Sequence, residues 1–164
     1  MPQLAGRPLR RFQAGGRGNR PERTAHICRV ELGPEPGGKY QIVVGFIGEP
    51  VFAGDKSGLE FFVSDLSQAT PVVGQQAAEG APVEGLEETL KAEVIFGDQT
   101  MELPLSARFN TPGAYESVFF PSQPGDYTFR IYGTLAGTDI DESFTSSPEG
   151  FGAVEDPAPL HFPK

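Results

Sequence analysis

From Tyr40 onward the chain alternates apolar and polar residues in short runs, the period-two pattern of half-buried β-strands. In the first run Tyr40, Ile42, Val44 and Phe46 fall on one face, and Gln41, Val43, Gly45 and Ile47 on the other. After a turn-rich stretch, Leu59, Phe61 and Val63 alternate with Glu60, Phe62 and Ser64. The next run is ambiguous, because Leu86, Leu90 and Val94 stand four apart and Glu87 precedes Lys91 by one helical turn. Strand spacing of Leu90, Ala92, Val94 and Phe96, followed by a Gly97-Asp98-Gln99 turn and the alternating Thr100 to Leu105, resolves it as a hairpin. In its second arm Met101, Leu103 and Leu105 share the core side, and Pro104 marks an edge strand. Three further strands are predicted over Gly113 to Phe120, Asp126 to Gly133 and Thr138 to Thr145, with Tyr127, Phe129, Ile131, Ile140 and Phe144 inward.

Two of these strands are entered through the same device, Pro112-Gly113-Ala114-Tyr115 and Pro124-Gly125-Asp126-Tyr127. Proline pre-sets one turn dihedral and glycine supplies a positive φ, so each pair marks a tight turn. The two tyrosine-led strands read as a closing hairpin. Between Leu66 and Thr89 lies a connection long enough to need explaining, and its middle, Pro71 to Gly80, reads as a hairpin insertion or a mobile excursion. Seven short strands with regular turn signals predict an all-β fold, an immunoglobulin-like β-sandwich of about seven antiparallel strands. Tyr127 stands where such sandwiches place a tyrosine whose hydroxyl bonds to an upstream backbone group. The organisation expected is a disordered Arg/Gly/Pro-rich tail over residues 1–39 with at most a short strand near His26 to Leu32, a sandwich domain over 40–145, and an extended acidic, proline-rich tail over 146–164 that packs a little through Phe151.

Composition agrees with many strands joined by turns, since 21 Gly and 16 Pro occur among 164 residues. The net charge of -9 hides an asymmetry: seven of the thirteen basic residues lie in Met1 to Val30 with only one of the 22 acidic ones. The acidic remainder would repel phosphate backbones, which argues against nucleic acid as a partner. A single cysteine allows no intrachain disulfide, no apolar run reaches the length of a bilayer span, and the head lacks the apolar core of a secretory signal.

Candidate chemistry is sparse. His26 and Cys28, two apart on an extended segment, share a face and form the pair that Cu(I) or Zn²⁺ would use, while Met101 fits the core stripe and His161 lies in the tail. The acidic groups Asp126, Asp139, Asp141 and Glu142, and Glu84, Glu87 and Glu88, lack the spacing of a calcium loop and read as solvated surface. With two histidines, both in tails, no nucleophilic triad is available, and the chain reads as a non-enzyme without a cofactor.

Pro112, Gly113, Tyr115, Pro124, Gly125, Tyr127 and Phe129 together resemble the YtkA-like group of bacterial envelope domains, over about Tyr40 to Thr145. The resemblance implies a small immunoglobulin-like sandwich in an extracytoplasmic, cell-envelope location, with a role sometimes associated with copper. The function expected is a non-enzymatic binding or assembly module of the envelope with a protein partner, its alternative a copper or other metal accessory protein. Membrane association is expected only if the natural gene adds an anchor, and the chain reads equally as a piece of a longer anchored protein.

Overall fold

The computed structural model describes residues 28–32, 39–70, 79–148 and 150–164. Among these residues ten strands build two antiparallel sheets: β1 (Cys28–Leu32), β2 (Tyr40–Phe46), β3 (Ser57–Thr70), β4 (Glu79–Pro82), β5 (Leu90–Phe96), β6 (Gln99–Leu103), β7 (Ser106–Ala107), β8 (Ala114–Phe119), β9 (Thr128–Leu135) and β10 (Thr138–Thr145). The first sheet runs β1-β2-β3-β8-β7, with β4 beside β3, and the second runs β10-β9-β5-β6. The chain is an all-β sandwich.

Period two explains which residues face inward. From the first sheet Ile42, Val44, Phe46, Leu59, Phe61, Val63, Tyr115 and Phe119 are buried; the second contributes Leu90, Ala92, Val94, Phe129, Ile131 and Phe144. Both readings of the ambiguous run have a physical basis. A 3-10 turn over Leu86–Glu88 buries Leu86, and β5 then begins at Leu90. The long connection is a hairpin insertion at its stem: β3 runs to Thr70 and β4 returns, pairing Ser64 with Pro82, Asp65 with Ala81 and Thr70 with Glu79. Residues 71–78 of the expected excursion lie outside the described ones.

Two expectations are corrected and two are sharpened. Within the stretch where a short strand was expected, near His26 to Leu32, Cys28–Leu32 is strand β1, paired along its length with β2 from Cys28 opposite Val44 to Leu32 opposite Tyr40. The tyrosine-led strands β8 and β9 form no hairpin but lie in opposite sheets, because the segment joining them is long enough to cross the sandwich. After Thr145 the packing expected of Phe151 is present and extends further along the chain. Phe151 and Val154 are buried in the core, and Gly125 and Val154 exchange backbone hydrogen bonds of 2.9 Å. Glu155 continues this docking by donating to Val51 O at 2.8 Å and accepting from Ala53 N at 2.9 Å. Val154, an isolated apolar residue without a period, gave sequence reasoning no signal of this further docking. Met101, placed on the core side, is 48% exposed because it sits near the start of an edge strand, where the opposite sheet does not cover it.

Both proline-glycine turns are left-handed at the glycine, with φ of 74° at Gly113 and 133° at Gly125. At Gly113 a side chain would also press on Pro82 Cβ (2.8 Å) and Val63 O (2.9 Å), so the turn packs directly on the β3–β4 stem. Each tyrosine that follows ties its turn to another part of the chain. Tyr127 Oη donates to Gln123 O at 2.9 Å, four residues upstream. Tyr115 Oη reaches across the fold, donating to Val83 O at 2.6 Å and accepting from Leu86 N at 3.2 Å.

On the outer faces, arginines reconcile like charges that the register sets side by side. Glu60 and Glu116 are directly opposite on β3 and β8, a destabilising pairing alone. Arg108 bonds the first at 2.6 Å and lies 3.8 Å from the second. Arg130 on β9 grips Asp141 through two bonds of 2.7 and 2.6 Å, and Glu93 at 2.8 Å.

Two predictions follow from these bonds. Tyr127→Phe should lower stability by about 1 kcal/mol, because its hydroxyl bonds the backbone of nearby Gln123, donating at 2.9 Å and accepting weakly at 3.4 Å, in a part-buried site. Tyr115→Phe should cost more, about 1–3 kcal/mol, because it strands the buried Leu86 N–H as well as the part-buried Val83 carbonyl. Urea unfolding measures both, and equal losses would show that the long-range tie carries no extra weight. The second concerns acid. The Arg130 guanidinium holds the Asp141 carboxyl below the usual carboxylate range. A depressed folded pKa stabilises fully above the unfolded value, and that contribution is lost as pH falls through the folded one. Asp141→Asn should therefore be less stable than wild type near neutrality and converge with it in acid, by a modest amount for an exposed pair. Unfolding midpoints that stay parallel across the acid range would remove the ion pair from the account.

Candidate functional site

The site begins with the turn between β5 and β6. Gly97, with φ of 60°, opens a two-residue turn and fixes the register Phe96 opposite Gln99. Alternation then directs the backbone groups of Gln99, Met101 and Leu103 toward β5, and those of Thr100 and Glu102 away from it. At Pro104 and Leu105 the chain leaves the second sheet, and it joins the first as the two-residue β7.

This crossing leaves β8 half covered. Ser106 pairs with Glu116 and Ala107 with Tyr115, and Arg108 N donates to Ala114 O at 2.9 Å. Even-numbered β8 residues thus point to the outer edge, while Gly113 O, on the other side, accepts from Val63 N. Val118, next in the even series, has no strand beside it on that edge among the described residues.

Between the open ends of β6 and β8 lies a cleft of ≈ 200 Å³. Its floor is aromatic: Phe96 and Tyr127 lie 4.6 Å apart between ring centroids, and Phe119 is 6.3 Å from Tyr127. Its lips carry Met101 on one side and Phe120, 63% exposed, on the other, with Gln99 and Gln123 as polar rim. The Pro124-Gly125 turn supports the floor, since a side chain at Gly125 would meet the Phe96 ring at 3.3 Å. Apolar walls between two backbone edges that no strand covers among the described residues can take an extended peptide, by strand addition with a side chain inserted into the cleft.

A second, more polar cleft of ≈ 400 Å³ is lined by Glu84, Glu87, Arg108, Thr111 and Tyr115. Burial pushes the Tyr115 phenol up, helped by the Glu87 and Glu84 carboxylates, and both of its hydrogen bonds go to backbone. This hydroxyl is a structural tie rather than a base poised for chemistry. Arg108 is likewise committed to Glu60.

The sequence-predicted metal pair is not assembled by the described structure. His26 lies outside the described residues, and Cys28 enters only as the first residue of β1. His161, in the C-terminal segment, is exposed. Among the described residues no group of three His, Cys, Asp or Glu side chains could hold a metal ion. The acidic residues suggested by sequence are dispersed: Asp139 accepts from Thr134 Oγ1 at 3.0 Å, and Asp141 is held by Arg130. Of the turn and corner residues, Tyr115 borders the polar cleft and Tyr127 floors the apolar one. Sequence reasoning missed Met101 and Phe120 as cleft residues. The available signal was Val118 and Phe120, two apolar residues alternating on the side of β8 that carries Glu116.

No helix among the described residues is long and apolar enough to cross a membrane. Compared with protein-family models, with curated proteins and with solved structures, the chain matches none.

Proposed function

We propose that this chain is a non-enzymatic, immunoglobulin-like binding module of the bacterial cell envelope, which holds an extended protein segment at its open flank. The observation that carries the reading is the apolar cleft between the unpaired ends of β6 and β8. Strand order supports the architecture: β2-β3-β8-β7 against β10-β9-β5 is the order of constant-type immunoglobulin sandwiches, to which β1 beside β2, β4 beside β3 and β6 beside β5 are added. The envelope location and the YtkA-like kinship rest on the two proline-glycine-x-tyrosine turns, whose glycines and tyrosines serve the turn and tie roles that pattern requires.

Strand addition supplies affinity through main-chain bonds at Val118 and Thr100, and the cleft selects for an apolar side chain. The acidic surface disfavours a segment of net negative charge.

Extended, uncharged peptides of alternating apolar and polar residues, measured by fluorescence polarisation against the whole chain, test the site. Met101→Glu and Phe120→Glu each place a charge at the cleft lip on an exposed residue and should weaken binding at least about tenfold. Equal affinity for wild type and both variants, or no binding by wild type, would remove the cleft as the site. Fractionation of the producing cells checks location, and recovery with the cytosol would overturn the envelope assignment.

A further inference from the structure

The segment that follows Glu155 presents an apolar surface of its own. Pro157 N-terminally flanks a 3-10 turn over Ala158–Leu160, secured by Ala158 N donating to Asp156 Oδ1 at 2.9 Å and Leu160 N to Pro157 O at 2.9 Å. The turn holds Leu160 68% exposed, and beyond it Phe162 is 94% exposed. These bonds commit the segment to a conformation that directs both side chains into solvent and not into the cleft of the same chain.

Its base is nevertheless fixed beside that cleft. Val154 is bonded to Gly125, which packs on Phe96 of the floor. Glu155 is bonded to Val51 and Ala53, and the next residue, Gly54, donates to Pro121 O at 2.7 Å on the cleft wall. A two-fold axis beside this flank would bring each segment to the partner's cleft, and the same contact would be made twice. The chemistry matches. Residues 156–164, DPAPLHFPK, are proline-rich and carry two exposed apolar side chains, Leu160 at the end of the 3-10 turn and Phe162 just beyond it. Proline-rich segments dock on aromatic-lined grooves at low entropic cost because proline already fixes their φ angles.

We propose that the cleft is occupied by residues 156–164 of a second copy of this chain, in a reciprocal exchange of C-terminal segments that makes a symmetric dimer. The proposal rests on the reading of the flank as a binding site and names its occupant. Phe162 enters between Met101 and Phe120, and the backbone beside it pairs with the free edge of β8 at Val118.

Sedimentation velocity over a concentration series of the whole chain is the test, with two variants that alter exposed residues only. One carries Leu160→Glu and Phe162→Glu; the other carries Met101→Glu and Phe120→Glu. Wild type should shift from monomer to dimer as concentration rises, and each variant alone should dimerise at least about tenfold more weakly. An equimolar mixture of the two should recover dimer, because one intact segment then meets one intact cleft. Wild type that stays monomeric throughout, a dimer unaffected by either variant, or a mixture no better than its components would each overturn the exchange. Own-chain docking would also overturn it, and would appear as a monomer whose Val118 amide loses hydrogen-exchange protection in the segment variant. Peptide binding by a wild type that remains monomeric would leave the binding-module reading standing, while loss of both would remove the two together.

Discussion

The ring of Phe46 is the contact on which the two sheets and the C-terminal segment jointly depend. It meets Phe129 of the opposite sheet at 5.0 Å and Phe151 at 5.5 Å, both nearly edge-on, and Tyr127 at 5.9 Å. Burying each ring contributes about 1.5–3 kcal/mol, and the edge-to-face geometry adds to that. Phe129 and Phe151 are themselves 5.4 Å apart, so the segment after β10 is held by burial before it is held by hydrogen bonds. The same cluster therefore fixes the cleft floor through Tyr127 and the base of the C-terminal segment through Phe151.

Edges set the other limit on this fold. A sandwich has four, and each exposes a row of unpaired backbone groups. On β10 the inward-side position Glu142, opposite Ile131, sets a half-buried carboxylate between Ile140 and Phe144, a feature that discourages a further strand. At β6 the ladder stops before Pro104, and on the first sheet β7 shields only the opening half of β8. What remains unshielded is apolar: Val118, Phe120 and Met101 are the large exposed hydrophobic residues of that flank.

Much of the sandwich was legible in the sequence because its strands obey period two and its turns carry residues with defined dihedrals. The faces of β2, β3, β5 and β9 follow directly from alternation, and Tyr127 could be assigned an upstream bond from its place at the head of a strand. Three features were not legible for physical reasons. Alternation gives the face of a residue but not its depth, so Met101 on an edge strand reads the same as Leu103, which is buried. A connector of the length between β8 and β9 permits either a hairpin or a crossing, and only the packing of Phe129 against the first sheet decides. Val154 belongs to no period, and its partner, Gly125, lies far away in sequence, so the docking beyond Phe151 left no mark. The cleft combines all three difficulties, since β6, the end of β8 and the following loop meet only after folding.

The opening of the flank is a consequence of connectivity rather than of any single residue. Between the turn at Gly97 and Asp98 and the start of β8, one stretch of chain must serve the edges of both sheets. It gives five residues to β6 and two to β7. Lengthening β7 backward would set Pro104 opposite Val118, where proline cannot donate to the ladder. Lengthening β6 would in turn release Arg108 from Glu60 and leave the opposed Glu60 and Glu116 carboxylates uncompensated. Among the described residues neither sheet therefore closes its edge at this flank, and Val118 is left without a neighbouring strand on its outer side.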